Sequence, residues 1–263
     1  MLTTRTALIT GGSRGLGLAL ATALVRDGWT VVVDGRDPDR LAAAARAPHA
    51  AAASSATGAT GATGGRMITV TGDVTDPAHR AALLAAIERV GRLDLLVHNA
   101  SELGPSPQPR LADYPPAALE RVYAVNVLAP VALTQLLLPL IRASRGTVIM
   151  ISSDAAVEPY AGWGGYGSSK AALDQVAAVL AVEEPAVRVL AVDPGDMRTE
   201  MHQRAFPGED ISDRPEPATV VPALLRLADD PGAAPGRHRA ADVGTGPGPD
   251  RAAHAAADAA ARS

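Results

Sequence analysis

Tyr166 and Lys170, in the run YGSSK, stand four residues apart, and Lys170 is the only lysine among the chain's 24 lysine and arginine residues. On a helix this spacing places both side chains on one face, one turn apart. An ammonium there stabilises tyrosinate and draws the phenol down from its ordinary value of roughly 10. Such a pair can give a proton to an oxygen that is gaining negative charge, or take it back in the reverse direction. Arginine, used at every other basic position, is too basic and too bulky for that task, whereas lysine is a compact charge whose pKa shifts. Asparagine is equally sparse, at Asn99 and Asn126 alone. Ser152 and Ser153 end the run GTVIMISS, and strand alternation turns them to opposite faces, so one of them can hydrogen-bond a reacting oxygen.

These residues need a scaffold, and the chain's rhythm describes one. Short β-branched runs (6–10, 30–34, 67–73, 93–99, 146–153 and 187–195) alternate with helical patterns (15–28, 78–91, 116–143 and 165–184). Strands that are apolar almost throughout are covered on both faces, which predicts an α/β fold: a doubly wound parallel sheet with helices on both sides, in one domain over residues 1–243. Two stretches break the rhythm. Residues 47–65 form a small-residue tract with a repeated T-G-A, read as a flexible insertion, and 244–263 form an Ala/Gly-rich tail with no core-facing stripe.

Composition narrows the function. With 263 residues, 47% of them hydrophobic, the chain can bury a large core. A net charge of -4 with scattered basic residues argues against nucleic acid and anionic membrane as partners. No cysteine and no metal-ligand spacing among six histidines leave redox chemistry to a bound organic cofactor. The start lacks an export signal, and the longest apolar run, LTQLLLPLI, is short and interrupted by Pro139, so a cytoplasmic protein is expected.

The turn Thr10-Gly11-Gly12-Ser13-Arg14-Gly15-Leu16-Gly17 lies between the first strand and first helix. Glycines there allow a tight turn and close backbone approach to a pyrophosphate at a helix N-terminus. Its spacing, TGxxxGxG, resembles the short-chain dehydrogenase/reductase family, and the likeness extends in register over about residues 5 to 200. The resemblance implies cofactor contacts from Gly11, Ser13, Arg14, Gly15, Leu16 and Gly17. It implies more from Asp73 and Val74 (adenine), from Asn99 and Ala100 in HNAS, the counterpart of NNAG, and from Pro194, Gly195 and Thr199 in PGxxxT. The selecting position after the second strand falls on Gly35, leaving Arg36 and Arg14 to read a 2′-phosphate. That favours NADP(H) over NAD(H), although Asp34 is an acid of the kind that pairs with the ribose of NAD.

By the same resemblance Asn126, Ser153, Tyr166 and Lys170 form a catalytic tetrad, and the thirteen-residue separation from Tyr166 selects Ser153 over Ser152. Ser153 would position the substrate oxygen, Tyr166 donate the proton, Lys170 grip the ribose and Asn126 complete a proton relay through a water. The expected activity is interconversion of a carbonyl and a secondary alcohol. The alternatives are an NADP-binding sensor or scaffold without turnover, or a related chemistry such as epimerisation or double-bond reduction. Glu158, Tyr160, Trp163, the loop 101–116 and a mobile segment 201–217 carrying Phe206 are expected to line a pocket suited to an apolar or aromatic substrate. Homodimers or homotetramers are expected from the family's habit.

Overall fold

The computed structural model describes residues 4–50 and 65–244. Its strands are β1 (Thr6–Ile9), β2 (Thr30–Gly35), β3 (Arg66–Thr71), β4 (Leu95–His98), β5 (Thr147–Ile151), β6 (Arg188–Asp193) and β7 (Gly236–Arg239). All pair in parallel, in the order β3-β2-β1-β4-β5-β6-β7. The chain winds outward from β1 to β3, then returns to place β4 on the other side of β1. That reversal opens a crevice at the carboxyl ends of β1 and β4, where loops diverge.

Alternation along each strand divides the core in two. Ala7 and Ile9 of β1 face one layer with Leu20 and Leu24 of α1 (Gly15–Arg26) and Leu224 of α8 (Val221–Asp229). Leu8, between them, faces the other layer. There it joins Leu83 and Ile87 of α3 (Pro77–Val90), Leu133 and Leu137 of α5 (Ala129–Ala143) and Leu173 of α6 (Gly164–Glu183). Both faces are thus covered, as the nearly unbroken apolar strands anticipate. The remaining helices are α2 (Pro38–Ala50), α4 (Pro116–Tyr123) and α7 (Glu200–Ala205).

Several details depart from expectation. α2 continues to Ala50, into the tract expected from residue 47; residues 51–64 lie outside the described residues, as does the tail beyond Gly244. β3 is an edge strand and only partly buried. Residues 116–143 are helical throughout, with a π-helical turn at Ala124–Leu128 joining α4 to α5. By length and composition Pro116–Ala143 is long and apolar enough to cross a membrane, which the sequence reading did not foresee; half of its apolar window is buried in this fold.

Candidate active site

β1 ends at the glycine turn, and the turn's shape depends on residues without side chains. Gly11 has φ +68°, and a Cβ there would lie 3.0 Å from Ala100 Cα. At Gly17 a Cβ would meet the Gly11 carbonyl at 2.5 Å, so this glycine packs the helix against the turn and does not line the cavity. Arg14 precedes α1 without a side-chain cap, leaving the first N–H groups of that helix facing the crevice. Asn99 fastens the turn from β4: its amide donates to the carbonyls of Thr10 (2.9 Å) and Gly11 (3.1 Å). Thr10 Oγ1 accepts the N–H groups of Asn99 and Ala100, each at 3.0 Å. His98, beside them, is a core residue bonded to Thr134 Oγ1 at 2.8 Å, and burial pushes its pKa down to about 3.

The acid on β2 is committed elsewhere. Asp34 is 1% exposed; its carboxylate accepts the Gly11 N–H at 2.7 Å and lies 2.9 Å from His79 Nε2 of α3. Asp34 still borders the cavity, together with Gly35 and Arg36. Arg14 pairs with Glu200 at the start of α7, and Arg40 of α2 reaches the same carboxylate at 2.9 Å. Asp73 accepts from Thr75 N–H (2.9 Å), Thr75 Oγ1 (2.7 Å) and Arg121 (2.6 Å). Burial opposes its ionisation, but these donors outweigh it and hold the carboxyl at about 2. The cap of α3 is Asp76, which accepts from Ala78 N–H, so Asp73 is not needed for that purpose.

The crevice is one cavity of about 740 Å³ that runs from the glycine turn past the end of β5 to the segment after β6. Tyr166 and Lys170 both project from α6 and are buried, to 8% and 2% exposure. Lys170 Nζ donates to the Ile151 carbonyl at 2.7 Å and lies 5.5 Å from the Tyr166 ring centroid. Burial brings its pKa down to about 8, against the pull of Asp174 one turn further on. The tyrosine differs from the sequence expectation of a lowered pKa. Burial raises it to about 12, aided by Asp154 and Asp193, while hydrogen bonds with the hydroxyls of Ser101 and Ser153 pull the other way. Lys170 spends a donor on the strand end, and its own desolvation limits the help it gives.

Ser153 is fixed where the tyrosine needs it. Its hydroxyl accepts Ala155 N–H at 3.2 Å and donates to Asp154 Oδ1 at 2.9 Å, capping the short turn after β5. Asn126 sits in the π turn, outside the cavity lining, and its side chain is fully engaged. Oδ1 accepts from Glu102 N–H (2.7 Å) and Ser101 Oγ (3.2 Å); Nδ2 donates to the Glu102 carbonyl and Ser169 Oγ, each at 2.9 Å. Its side chain therefore ties the loop after β4 to α6, and does not itself bridge to Lys170. Pro194, Gly195 and Thr199 line the cavity after β6, with Asp193 Oδ1 accepting the Gly195 N–H at 2.9 Å and Thr199 capping α7. Ser13, Gly15, Leu16, Val74 and Ala100 line it too.

Sequence reasoning passed over Ser101 as a partner of the tyrosine, and over α7, which lies in the segment expected to be mobile. That helix is bound at both ends, by Glu200 to Arg14 and Arg40 and by the Arg204 carbonyl to Ser106 Oγ at 2.6 Å. Phe206, which follows it, joins an aromatic wall around Trp163; of the side chains expected to line the pocket, Trp163 does so, whereas Glu158, Tyr160 and Phe206 lie outside its lining. Trp163 stands 5.8 Å from Tyr166 and 5.8 Å from Phe206, and 6.4 Å from Tyr160, between ring centroids. Among the described residues no cluster of His, Asp and Glu has the makings of a metal site.

Known proteins resemble this chain in sequence and in fold. The chain is 33% identical to the Saccharomyces cerevisiae benzil reductase ((S)-benzoin forming) IRC24 over 225 residues, covering 83% of this chain and 79% of that one. It is 32% identical to sepiapterin reductase of Mus musculus over 75% of this chain and 76% of the other. The structure of a short chain dehydrogenase from Escherichia coli CFT073 complexed with NADPH superposes with a TM-score of 0.79 at 32% identity, over 91% and 97% of the two chains. The family model for short chain dehydrogenases matches residues 5–210, the whole span from β1 to just past α7. By fold, sheet order and this match, the chain belongs to the short-chain dehydrogenase family of oxidoreductases.

Proposed function

We propose that this protein is an NADP(H)-dependent carbonyl reductase acting on ketones that carry an aryl group, and that it runs the reverse alcohol oxidation at the same site. The observation that carries the reading is the placement of Tyr166. Its phenol is buried in the cavity lining, near the hydroxyls of Ser101 and Ser153, one turn from Lys170 and next to an aromatic wall. The cradle at Gly11, which a Cβ would fill, and the open N–H groups of α1 suit a dinucleotide's pyrophosphate. With Asp34 bound to Gly11 and His79, the basic groups lining this part of the cavity are Arg36 and Arg14, the latter paired with Glu200, and they favour a 2′-phosphate over a bare ribose. The E. coli relative complexed with NADPH supports the same choice.

NADPH, when bound, supplies the hydride. Ser153 orients the carbonyl oxygen, and Tyr166 gives it a proton as it becomes an alcohol. Lys170 keeps a positive charge near the phenolate left behind, and Asn126 holds the loop that carries Ser101 against the site. Trp163 lines the cavity, backed by Phe206 and Tyr160, and offers a face to an aromatic ring; benzil, named in the yeast relative, is a diaryl diketone of that type. Leu128 at the end of the π turn, Leu136 of α5 and Val179 and Val182 of α6 are exposed, which favours pairing of copies through those helices.

Loss of reduced-nicotinamide absorbance with NADPH or NADH over a panel of aryl and alkyl ketones tests the reading. Turnover is expected with NADPH and aryl ketones. Tyr166→Phe should bind NADPH as before and turn nothing over; wild-type rates from that variant would overturn the mechanism.

A further inference from the structure

Arg237 lies on β7, beyond the residues matched by the family model, and its guanidinium reaches three elements of the site. Nη2 donates to the backbone carbonyl of Ser153 at 2.9 Å and to Asp193 Oδ2 at 3.0 Å, while Nε donates to Asp174 Oδ2 at 3.1 Å. Side-chain exposure is 23% for Arg237, 14% for Asp174 and 5% for Asp193, so these ion pairs are largely withdrawn from water. Each contact has a partner in the chemistry. Ser153 is the hydroxyl beside the phenol, Asp193 caps the turn at Gly195, and Asp174 stands one helical turn beyond Lys170.

We propose that Arg237 is a positioning residue of this site: it holds the Ser153 backbone and the Asp193–Gly195 turn in place and neutralises the two carboxylates behind Tyr166 and Lys170. The inference rests on the reading of Tyr166 as proton donor. A planar fork suits it, because one guanidinium meets a carbonyl and two carboxylates at once, which an ammonium on a flexible stem does poorly. The charged groups facing Tyr166 are Lys170 from its own helix, Asp154 from the turn after β5 and Asp193 from β6; those facing Asp174 are Lys170 and Arg237. Removing the fixed positive charge of Arg237 leaves Asp174 and Asp193 uncompensated, so the coupled Tyr166–Lys170 pair holds its protons to higher pH.

The test is the pH dependence of kcat for alcohol oxidation with NADP+, together with ultraviolet titration of tyrosinate in the NADP+ complex, using Tyr166→Phe as the blank. Arg237→Met should move the acid limb and the Tyr166 titration upward by about one pH unit. Arg237→Lys should leave both in place and lower kcat, because charge survives while the fork does not. Asp174→Asn, which removes a negative charge and keeps Arg237, should move both downward, and it serves if Arg237→Met fails to fold. A folded Arg237→Met with lowered melting temperature but unmoved limb and titration would show a purely structural arginine and overturn the proposal. An active Tyr166→Phe would instead overturn the proton-donor reading, and the tyrosinate titration of the Arg237 variants would still decide this inference.

Discussion

Asp34 accepts the Gly11 N–H at 2.7 Å while its other oxygen lies 2.9 Å from His79 Nε2, so the acid at the end of β2 braces the cofactor turn from beneath. Asp34 borders the cavity, but both of its oxygens are engaged, whereas an acid reading the ribose of NAD needs a free one. Asp34→Asn should therefore destabilise the protein by about 1–3 kcal/mol, the range for disturbing a buried bond to a charged group, and leave the ratio of NADPH to NADH affinity unchanged. Thermal melts and fluorescence titration with each cofactor separate the two effects. A shift in preference toward NADPH alone would mean that Asp34 does read the ribose.

The arginines at the mouth are already occupied. Glu200 holds Arg14 and Arg40 together, so a 2′-phosphate has to compete with a carboxylate for them. Arg14→Ala should weaken NADPH binding about tenfold, the value of one charge-assisted bond, and leave NADH binding unaltered. Glu200→Gln should tighten NADPH binding severalfold, with no change for NADH. Equal effects on both cofactors would place these groups away from the phosphate.

Much of this was legible in the chain because it rests on local patterns. The strands from β1 to β6 show as apolar runs, and the glycine turn is defined by spacing alone. The site residues were findable because the chain uses lysine once and asparagine twice, at Lys170, Asn99 and Asn126. β7 was not legible: GRHR has no apolar residue, and it is a strand because β6 offers it a ladder, which no periodicity announces. Asp34 is an ambiguous acid in sequence, and only the packing of α3, which brings His79 to it, decides its role. The same holds for Arg237, whose partners are 44, 63 and 84 residues distant. Tyr166 shows the limit most plainly. A lysine four residues on suggests a lowered pKa, but burial is a property of the whole fold and reverses the sign.

Lys170 offers a test of that burial by stability. Its pKa falls from about 10.5 when unfolded to about 8 in the folded protein. Between those values the unfolded chain binds the proton and the native one does not, so wild-type stability rises with pH across that window. Below pH 8 both states carry the charge and the native state bears the full cost of burying it. Lys170→Met should therefore gain stability relative to wild type near pH 7, and lose that advantage progressively toward pH 10.5. Denaturant melts at several pH values give the difference directly, and a constant difference would show that the ammonium is not desolvated.

The aromatic wall yields the substrate test. The chain's only phenylalanine, Phe206, and one of its two tryptophans, Trp163, meet above Tyr166, with ring centroids 5.8 Å apart. Trp163 lines the cavity and Phe206 backs its ring, so the pair can hold a flat face toward a bound aryl group. Removing one such ring forfeits on the order of 1–2 kcal/mol of buried contact with a bound aryl group, or about tenfold in binding. Trp163→Ala and Phe206→Ala should each raise KM for a diaryl ketone by that factor while changing a small aliphatic ketone little, since a short chain never reaches the wall. Trp163 also packs on the proton donor, so its loss should lower kcat for both substrates, whereas Phe206 sits one ring further out and should affect KM alone. If both variants changed aryl and alkyl ketones equally, the wall would be packing for α7 and the substrate class would have to be sought elsewhere in the cavity.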